Sequence, residues 1–163
     1  MSNPRRRLDA DGLLMIALTT ESRIGALARR VAAIATDEVL AAAVECDPRL
    51  RLAHVRVLAA LEHGPVRASA VAARLGATKQ TIGPLVDELV VWGILTREPD
   101  PADRRAKLLH PTASGSIVGQ RVLAAAEAVE QRWRVLVGPD ELDHCRRTLW
   151  RLLDGQDRDE QNW

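Results

Sequence analysis

Gly76 and Gly93 bracket a stretch that reads as a short amphipathic helix. Between them Ile82, Leu85, Val86 and Leu89 recur at spacings of three and four, which puts them on one face, and Leu75 joins them from just outside. Thr78 stands where a helix needs an N-cap, its hydroxyl placed to accept from the amides of the first turn. Gly93 closes the helix, as a residue tolerant of left-handed backbone does. Lys79, Gln80 and Gly83 then face away from the core. Just upstream, Ser69 is placed to cap a helix over Ala70 to Leu75, and Gly76 makes the turn between the two. Two helices joined by so tight a turn form a helix-turn-helix.

A basic hairpin follows. Gly93-Ile94-Leu95-Thr96-Arg97 leads to Asp100-Pro101-Ala102-Asp103-Arg104-Arg105. Strands are expected near Leu95–Glu98 and Ala106–His110, with the charged loop Asp100–Arg105 between them; Val66-Arg67-Ala68 reads as a short extended link. Asp103, beside Arg104 and Arg105, can hold a guanidinium in a defined pose through a charge-assisted hydrogen bond. An arginine at a loop tip suits a narrow minor groove, where negative potential is enhanced. Such a hairpin is a wing, and wing and helix together point to duplex DNA. The net charge of +1 argues for no partner by itself, but its distribution does. Residues 49–107 carry ten basic and six acidic side chains, against six and seven in residues 1–48 and seven and nine in 108–163. A basic middle between acidic flanks is what phosphate contact needs. Lys79 and Lys107, the two lysines of the chain, both fall there.

Apolar residues make up 47% of the chain, enough for a core, and with neither Tyr nor Phe that core must be Leu, Val, Ile and Ala. Alanine-rich composition favours helices. Residues 1–8 read as a loose arm whose Arg5 to Arg7 either touch phosphate or are simply solvated. From Asp9 to Glu45 the pattern is helical, with Ile24, Leu27, Val31 and Ile34 in register; Thr19-Thr20-Glu21-Ser22 leaves open whether this is one helix or two. Pro48 ends it. A second helix is expected over Arg49–Glu62, stopped by His63-Gly64-Pro65. A fifth runs from near Ser114 to Val137 behind a Thr112 cap, and a sixth from Asp140 to near Leu153 after the Gly138-Pro139 break. On the sixth, Leu142, Cys145, Leu149 and Leu152 form a stripe that needs a partner, either the first helix of the same chain or a second chain. The expected division is 1–48 (arm and dimerisation helix), 49–112 (winged helix-turn-helix), 113–154 (C-terminal dimerisation helices) and 155–163 (polar tail). The fold class is mainly α with minor β: a winged helix-turn-helix with a two-stranded wing.

Other chemistries find little footing. There is no G-x-S-x-G, phosphate loop or HExxH, so nothing points to an enzyme, and no cofactor is implied. Cys46 and Cys145 make no disulfide framework. Cys145 reads as a core residue of the apolar stripe; Cys46, at a helix end, is the thiol to test with peroxide. His54, His63, His110 and His144 show no i, i+4 pair and no adjoining Cys, which argues against a metal site. Trp92 and Trp133 read as structural. Sequence alone assigns no ligand pocket, and His54 and Arg56 are the nearest polar candidates. The apolar runs are too short to cross a bilayer, and Leu13–Leu18 after Arg5–Arg7 only imitates a signal peptide, so a cytoplasmic protein is expected.

The run Val57-Leu58-Ala59-Ala60-Leu61, then Leu75-Gly76, Leu85-Val86-Asp87-Glu88-Leu89 and Gly93-Ile94-Leu95, and above all Asp100-Pro101-Ala102-Asp103-Arg104-Arg105 with Thr112-Ala113-Ser114-Gly115, resembles the MarR family of bacterial winged-helix regulators. The likeness spans residues 23 to 153. It implies a homodimer whose first, fifth and sixth helices intertwine, with two winged helices in adjacent major grooves of a pseudo-palindrome and a wing arginine in the minor groove. It also implies a repressor, which in many members leaves DNA on binding a small, often aromatic anion between the dimer region and the winged helix. Carried over by position, Thr78, Lys79 and Gln80, with Thr81 and Gly83 beside them, are DNA-facing. Arg104, Arg105 and Lys107 are the wing basics, and Asp103 is their orienter. The implied partners are double-stranded DNA, a second copy of the chain and a small-molecule effector, with no membrane.

Members usually carry polar or basic residues where this chain has Gly83 and Pro84. Proline there removes the bond to the Gln80 carbonyl and costs about 3 kcal/mol in a regular interior. A kink or a loosened first turn is therefore expected, with specificity leaning on Lys79, Gln80 and the wing. The same two residues keep an alternative open: a winged-helix dimer used for protein–protein contact, its DNA binding weakened or lost.

Overall fold

The structure is a computed structural model in which residues 22–160 are described, the last six of them by backbone alone. The Arg5–Arg7 arm, the start of the first helical stretch and the end of the polar tail lie outside the described residues. The chain divides into two units, residues 1–35 and 36–163, with the boundary inside helix α1, Ile24–Cys46. Over the described residues α1 is unbroken. The second unit continues with α2 (Leu52–Ala59), β1 (Val66–Arg67), α3 (Ala68–Arg74), α4 (Lys79–Val91), β2 (Leu95–Asp100), β3 (Asp103–Pro111), α5 (Ala113–Val137) and α6 (Pro139–Glu160).

The core is aliphatic, as the missing Phe and Tyr require. Val57, Val71, Val86, Leu89, Ile94, Leu95 and Leu109 are its most buried members, with Ala43 of α1 and Val118 of α5 closing it. Among the described residues two polar side chains are buried, His54 of α2 completely and Asp100 at the end of β2 nearly so. Helix α2 is shorter than the expected Arg49–Glu62. At its C-terminal end the amides of Leu61, Glu62 and Gly64 each reach back three residues, so the helix tightens into successive turns. At its start the Arg51 N–H donates to His54 Nδ1 at 3.0 Å, which fixes Arg51 as the residue before the helix.

The wing has three strands, not two, in the order β1-β3-β2. Val66 pairs with Leu109 and Arg67 with Leu108, so the expected link is a short strand that covers the outer edge of β3. That pairing holds Arg67 extended, and α3 starts directly after it, two residues before the expected Ala70; Ser69 lies inside the helix and caps nothing. The hairpin is also longer than expected. Strand β2 runs to Asp100 and β3 begins at Asp103, leaving a two-residue tip, Pro101-Ala102, and a register irregularity at Pro99/Asp100.

On α6, Leu149, Trp150, Leu152 and Leu153 are exposed, and so is Cys145. Exposed Cys145 is therefore not a core residue among the described elements. Cys46 ends α1 and is also exposed. Among the described residues no helix is long and apolar enough to cross a membrane, and no group of His, Cys, Asp and Glu could hold a metal ion.

The α1–α2 corner carries a pH-dependent contact. Arg49 donates to both carboxylate oxygens of Asp47, at 2.9 and 2.6 Å, and its backbone N–H reaches the same carboxylate at 3.0 Å. The guanidinium holds the Asp47 carboxyl down from an ordinary 3.8 to about 2. A depressed folded-state pKa adds stability that is fully present above the unfolded value and disappears as pH falls through the folded one. Asp47→Asn is expected to lower the neutral-pH melting temperature by about 2–4 °C. The gap between variant and wild type should close between pH 4 and pH 2. A gap that stays constant across that window in pH-resolved thermal melts would show that the pair contributes nothing through ionisation.

Candidate nucleic-acid interface

The helix-turn-helix forms through local chemistry. Gly76 takes φ +59° in the turn and Gly93 φ +71° behind α4, conformations that a side chain disfavours. Thr78 caps α4 as expected: its hydroxyl accepts from the Thr81 N–H at 3.2 Å and lies 2.9 Å from the Thr81 hydroxyl. Ile82, Val86 and Leu89 are buried and Leu85 half-buried, so Thr78, Lys79, Gln80 and Thr81 stand exposed together at the capped end. The amides of a helix N-terminus favour an anion, and a phosphate is the anion a duplex offers. Gly83, expected outward, is half-buried, although a Cβ there would meet nothing within 4 Å.

The expected loosening at Pro84 is absent. Helix α4 is unbroken from Lys79 to Val91 with Pro84 inside it. Proline at the sixth helical position leaves the first-turn donors untouched, and Thr78 serves those. The carbonyl it orphans belongs to exposed Gln80, where water can reach it.

Arg104, Arg105 and Lys107 are all exposed on β3. Side chains alternate along a strand, so Arg105 and Lys107 share one face and Arg104 takes the other. Asp103 does not orient either arginine through its guanidinium. Its carboxylate accepts from the Arg105 backbone N–H at 3.1 Å, and a guanidinium that pairs with it is that of Arg67, at 3.7 Å. The tip is built instead around Asp100, which is buried. One oxygen accepts from the Ala102 N–H at 2.8 Å, closing the two-residue turn; the other takes the Arg67 guanidinium at 2.7 and 2.5 Å. The Ala102 amide first, and Arg67 second, hold the Asp100 carboxyl below the usual carboxylate range.

Two further contacts position the recognition elements, and neither is visible in local sequence. Arg97 of β2 donates to Asp87 of α4 at 2.6 Å, tying wing to helix. His54 Nε2 lies 2.7 Å from Glu88 of α4, which also accepts from Arg51 at 2.7 Å. His54 Nδ1 already accepts from the Arg51 amide, so the ring proton sits on Nε2, facing Glu88. The His54 hydrogen bond, then Arg51, hold the Glu88 carboxyl low. Trp92 packs edge-on to His54 at 4.9 Å, and Arg49 lies over its ring at 4.9 Å, so Trp92 is structural as expected. His54 is thereby removed as a pocket candidate. Arg56 lines a cleft with His63 and Arg74 instead.

A capped, exposed helix start beside a braced basic wing makes this a winged helix-turn-helix. The MarR family model matches residues 50–106, from the start of α2 into β3. The chain is similar to CouR from Rhodococcus jostii RHA1, solved with p-coumaroyl-CoA, at 30% identity over 82% of this chain and 93% of that one, with a TM-score of 0.67. A MarR-family transcriptional regulator from Rhodococcus sp. RHA1 is 29% identical over 82% and 94% of the two chains, with a TM-score of 0.64. The same fold, at 22% identity over 85% and 99% and a TM-score of 0.67, occurs in the transcriptional repressor CouR solved on a 23-mer DNA duplex. No curated protein is similar enough in sequence to count as a match. The chain belongs to the MarR family of transcriptional regulators, with a DNA-binding winged helix.

Proposed function

We propose that this protein is a homodimeric, sequence-specific regulator, not an enzyme, which represses transcription from a pseudo-palindromic operator in the cytoplasm and responds to a small-molecule effector. The carrying observation is the joint exposure of Thr78, Lys79, Gln80 and Thr81 at the capped start of α4, beside a wing that presents Arg104, Arg105 and Lys107. In this reading residues 49–112 are the reading head, and 1–48 and 113–154 carry the dimer. The exposed apolar residues of α6, with Val135, Leu136 and Val137 at the end of α5, support a second chain as their cover. The relative solved on a DNA duplex and the relative solved with p-coumaroyl-CoA support a regulator with both kinds of partner.

Small or apolar residues at Gly83 and Pro84 support a reading in which base contacts fall to Lys79 and Gln80. Each good bidentate contact gives about 1–3 kcal/mol of discrimination. Selection of duplexes from a random library is expected to enrich a pseudo-palindrome with half-sites about one helical turn apart. Lys79→Ala and Gln80→Ala should flatten the base preferences of each half-site. Strong discrimination that survives both substitutions would remove them as readers. No enrichment at all would favour the alternative of a protein-binding dimer, which the short side chains at 83 and 84 allow.

A further inference from the structure

Helices α1, α2 and α5 of the second unit border a cavity of about 500 Å³ that is open to solvent on one side. That is within the range of small-molecule sites, roughly 300–1,000 Å³. Val39 of α1, Val55 and Leu58 of α2 and Val122 of α5 give it aliphatic walls. The polar groups on its lining are few: Ser116 and Gln120 of α5, and Glu62 after α2. Among the described residues, exposed Glu62 is the one ionisable group on its lining, and no described Arg, Lys or His lines it. Its carboxylate makes no hydrogen bond or ion pair with another described residue.

We infer that this cavity takes a lipophilic amine, an apolar body with one cationic head set against Glu62, and not the aromatic anion that the family likeness implies. The argument is electrostatic. A ligand carboxylate entering these walls gives up part of its hydration, meets no cation among the described lining residues and shares the cavity with a second carboxylate, and each of these raises its free energy. An ammonium placed at Glu62 gains an opposite charge at the cavity rim while its body covers Val39, Leu58 and Val122. Arg56, His63 and Arg74 line a neighbouring cleft of about 520 Å³ that meets the cavity at Ala59 and Glu62, and none of the three lines the cavity itself. The Arg74 guanidinium there is already donated to the Ala60 carbonyl. An anion attracted by that cleft has no need of the aliphatic cavity. The inference names the effector class of the regulator proposed above and depends on that reading only for its consequence on DNA.

Three probes with one skeleton and different heads separate the possibilities: phenylbutylamine, phenylbutanol and phenylbutyrate. Binding is read by calorimetry and thermal shift on the full chain without DNA. The amine is expected to bind about tenfold or more tighter than the carboxylate. Glu62→Gln should remove its advantage over the alcohol. Gly119 lines the cavity and a Cβ there meets nothing within 4 Å, so Gly119→Leu can grow into the space without backbone conflict. It should abolish amine binding, while Gly119→Ala, the fold control, retains it. The inference is overturned if the carboxylate binds as tightly as the amine, if none of the probes binds, or if the amine preference survives Glu62→Gln. Duplex binding is then measured with and without the amine. Binding of the amine with no change in DNA affinity upholds the site and refutes its use as the effector site.

Discussion

Gly115→Ala is expected to lower the melting temperature by about 10 °C, the product of an overpacking cost near 3 kcal/mol and a shift of roughly 2–4 °C per kcal/mol in a chain of this size. Gly115 is buried in the first turn of α5, and a Cβ built on it would stand 2.1 Å from the Ile94 carbonyl oxygen and 3.1 Å from its carbon. No flexible side chain can yield there, because the obstacle is backbone. Nor can the two segments slide apart. The Thr112 N–H donates to the Ile94 carbonyl at 3.0 Å, the Thr112 hydroxyl donates to the Gly93 carbonyl at 2.6 Å, and the same hydroxyl accepts from the Gly115 N–H at 3.1 Å. One threonine thus caps α5 and fastens it to the turn that ends α4. The control lies one turn along the same helix. At Gly119 a Cβ meets nothing, and replacing a helical glycine by alanine there should stabilise by about 0.5–1 kcal/mol. Thermal melts of the two variants should therefore move in opposite directions. Equal stability of wild type and Gly115→Ala would mean that α5 can shift off Ile94 at little cost.

That joint shows what is legible in a sequence like this one. Thr112 and Thr78 act as caps, and Gly76 and Gly93 act as turns, because capping and left-handed backbone are decided within a few residues. The helix-turn-helix and the hairpin follow from such signals and from the apolar spacing. What local signals miss is set by residues far apart in the chain. Asp103 sits next to two arginines and looks like their orienter, yet the buried carboxylate is Asp100 and its cation, Arg67, comes from a strand whose two residues look like a link. Only the pairing of β1 with β3 brings them together. His54 and Glu88, and Arg97 and Asp87, are separated in sequence too, so no local pattern announces them. Cys145 resembles a core residue because a stripe on a helix says that a face is apolar, not what covers it. Pro84 looks disruptive because propensity weighs one residue at a time, whereas α4 is held by Thr78 at one end and by Ile82, Val86 and Leu89 along its buried side.

The Arg67–Asp100 clamp leads to the second large effect, on DNA. Replacing Arg104 and Arg105 together by alanine is expected to weaken duplex binding about 100-fold at moderate salt, and to reduce the slope of log affinity against log salt by about 0.9 for each phosphate that is no longer neutralised. The single variants should be unequal, since the two side chains leave opposite faces of β3 and cannot enter one groove equivalently. Arg67→Ala should also weaken binding, on the order of tenfold, but by a different route. Arg67 is engaged with Asp100 and Asp103 and not offered to solvent in the way Arg105 is. Its loss leaves buried Asp100 with the Ala102 amide and no cation, so the tip loses its fixed position while every exposed arginine remains. A positioning residue of this kind lowers affinity with little change in salt slope. The comparison of slopes thus separates the residue that touches phosphate from the one that aims it. If Arg67→Ala flattens the slope as much as the double variant does, Arg67 itself touches phosphate. If the double variant binds like wild type, the wing has no part in holding DNA.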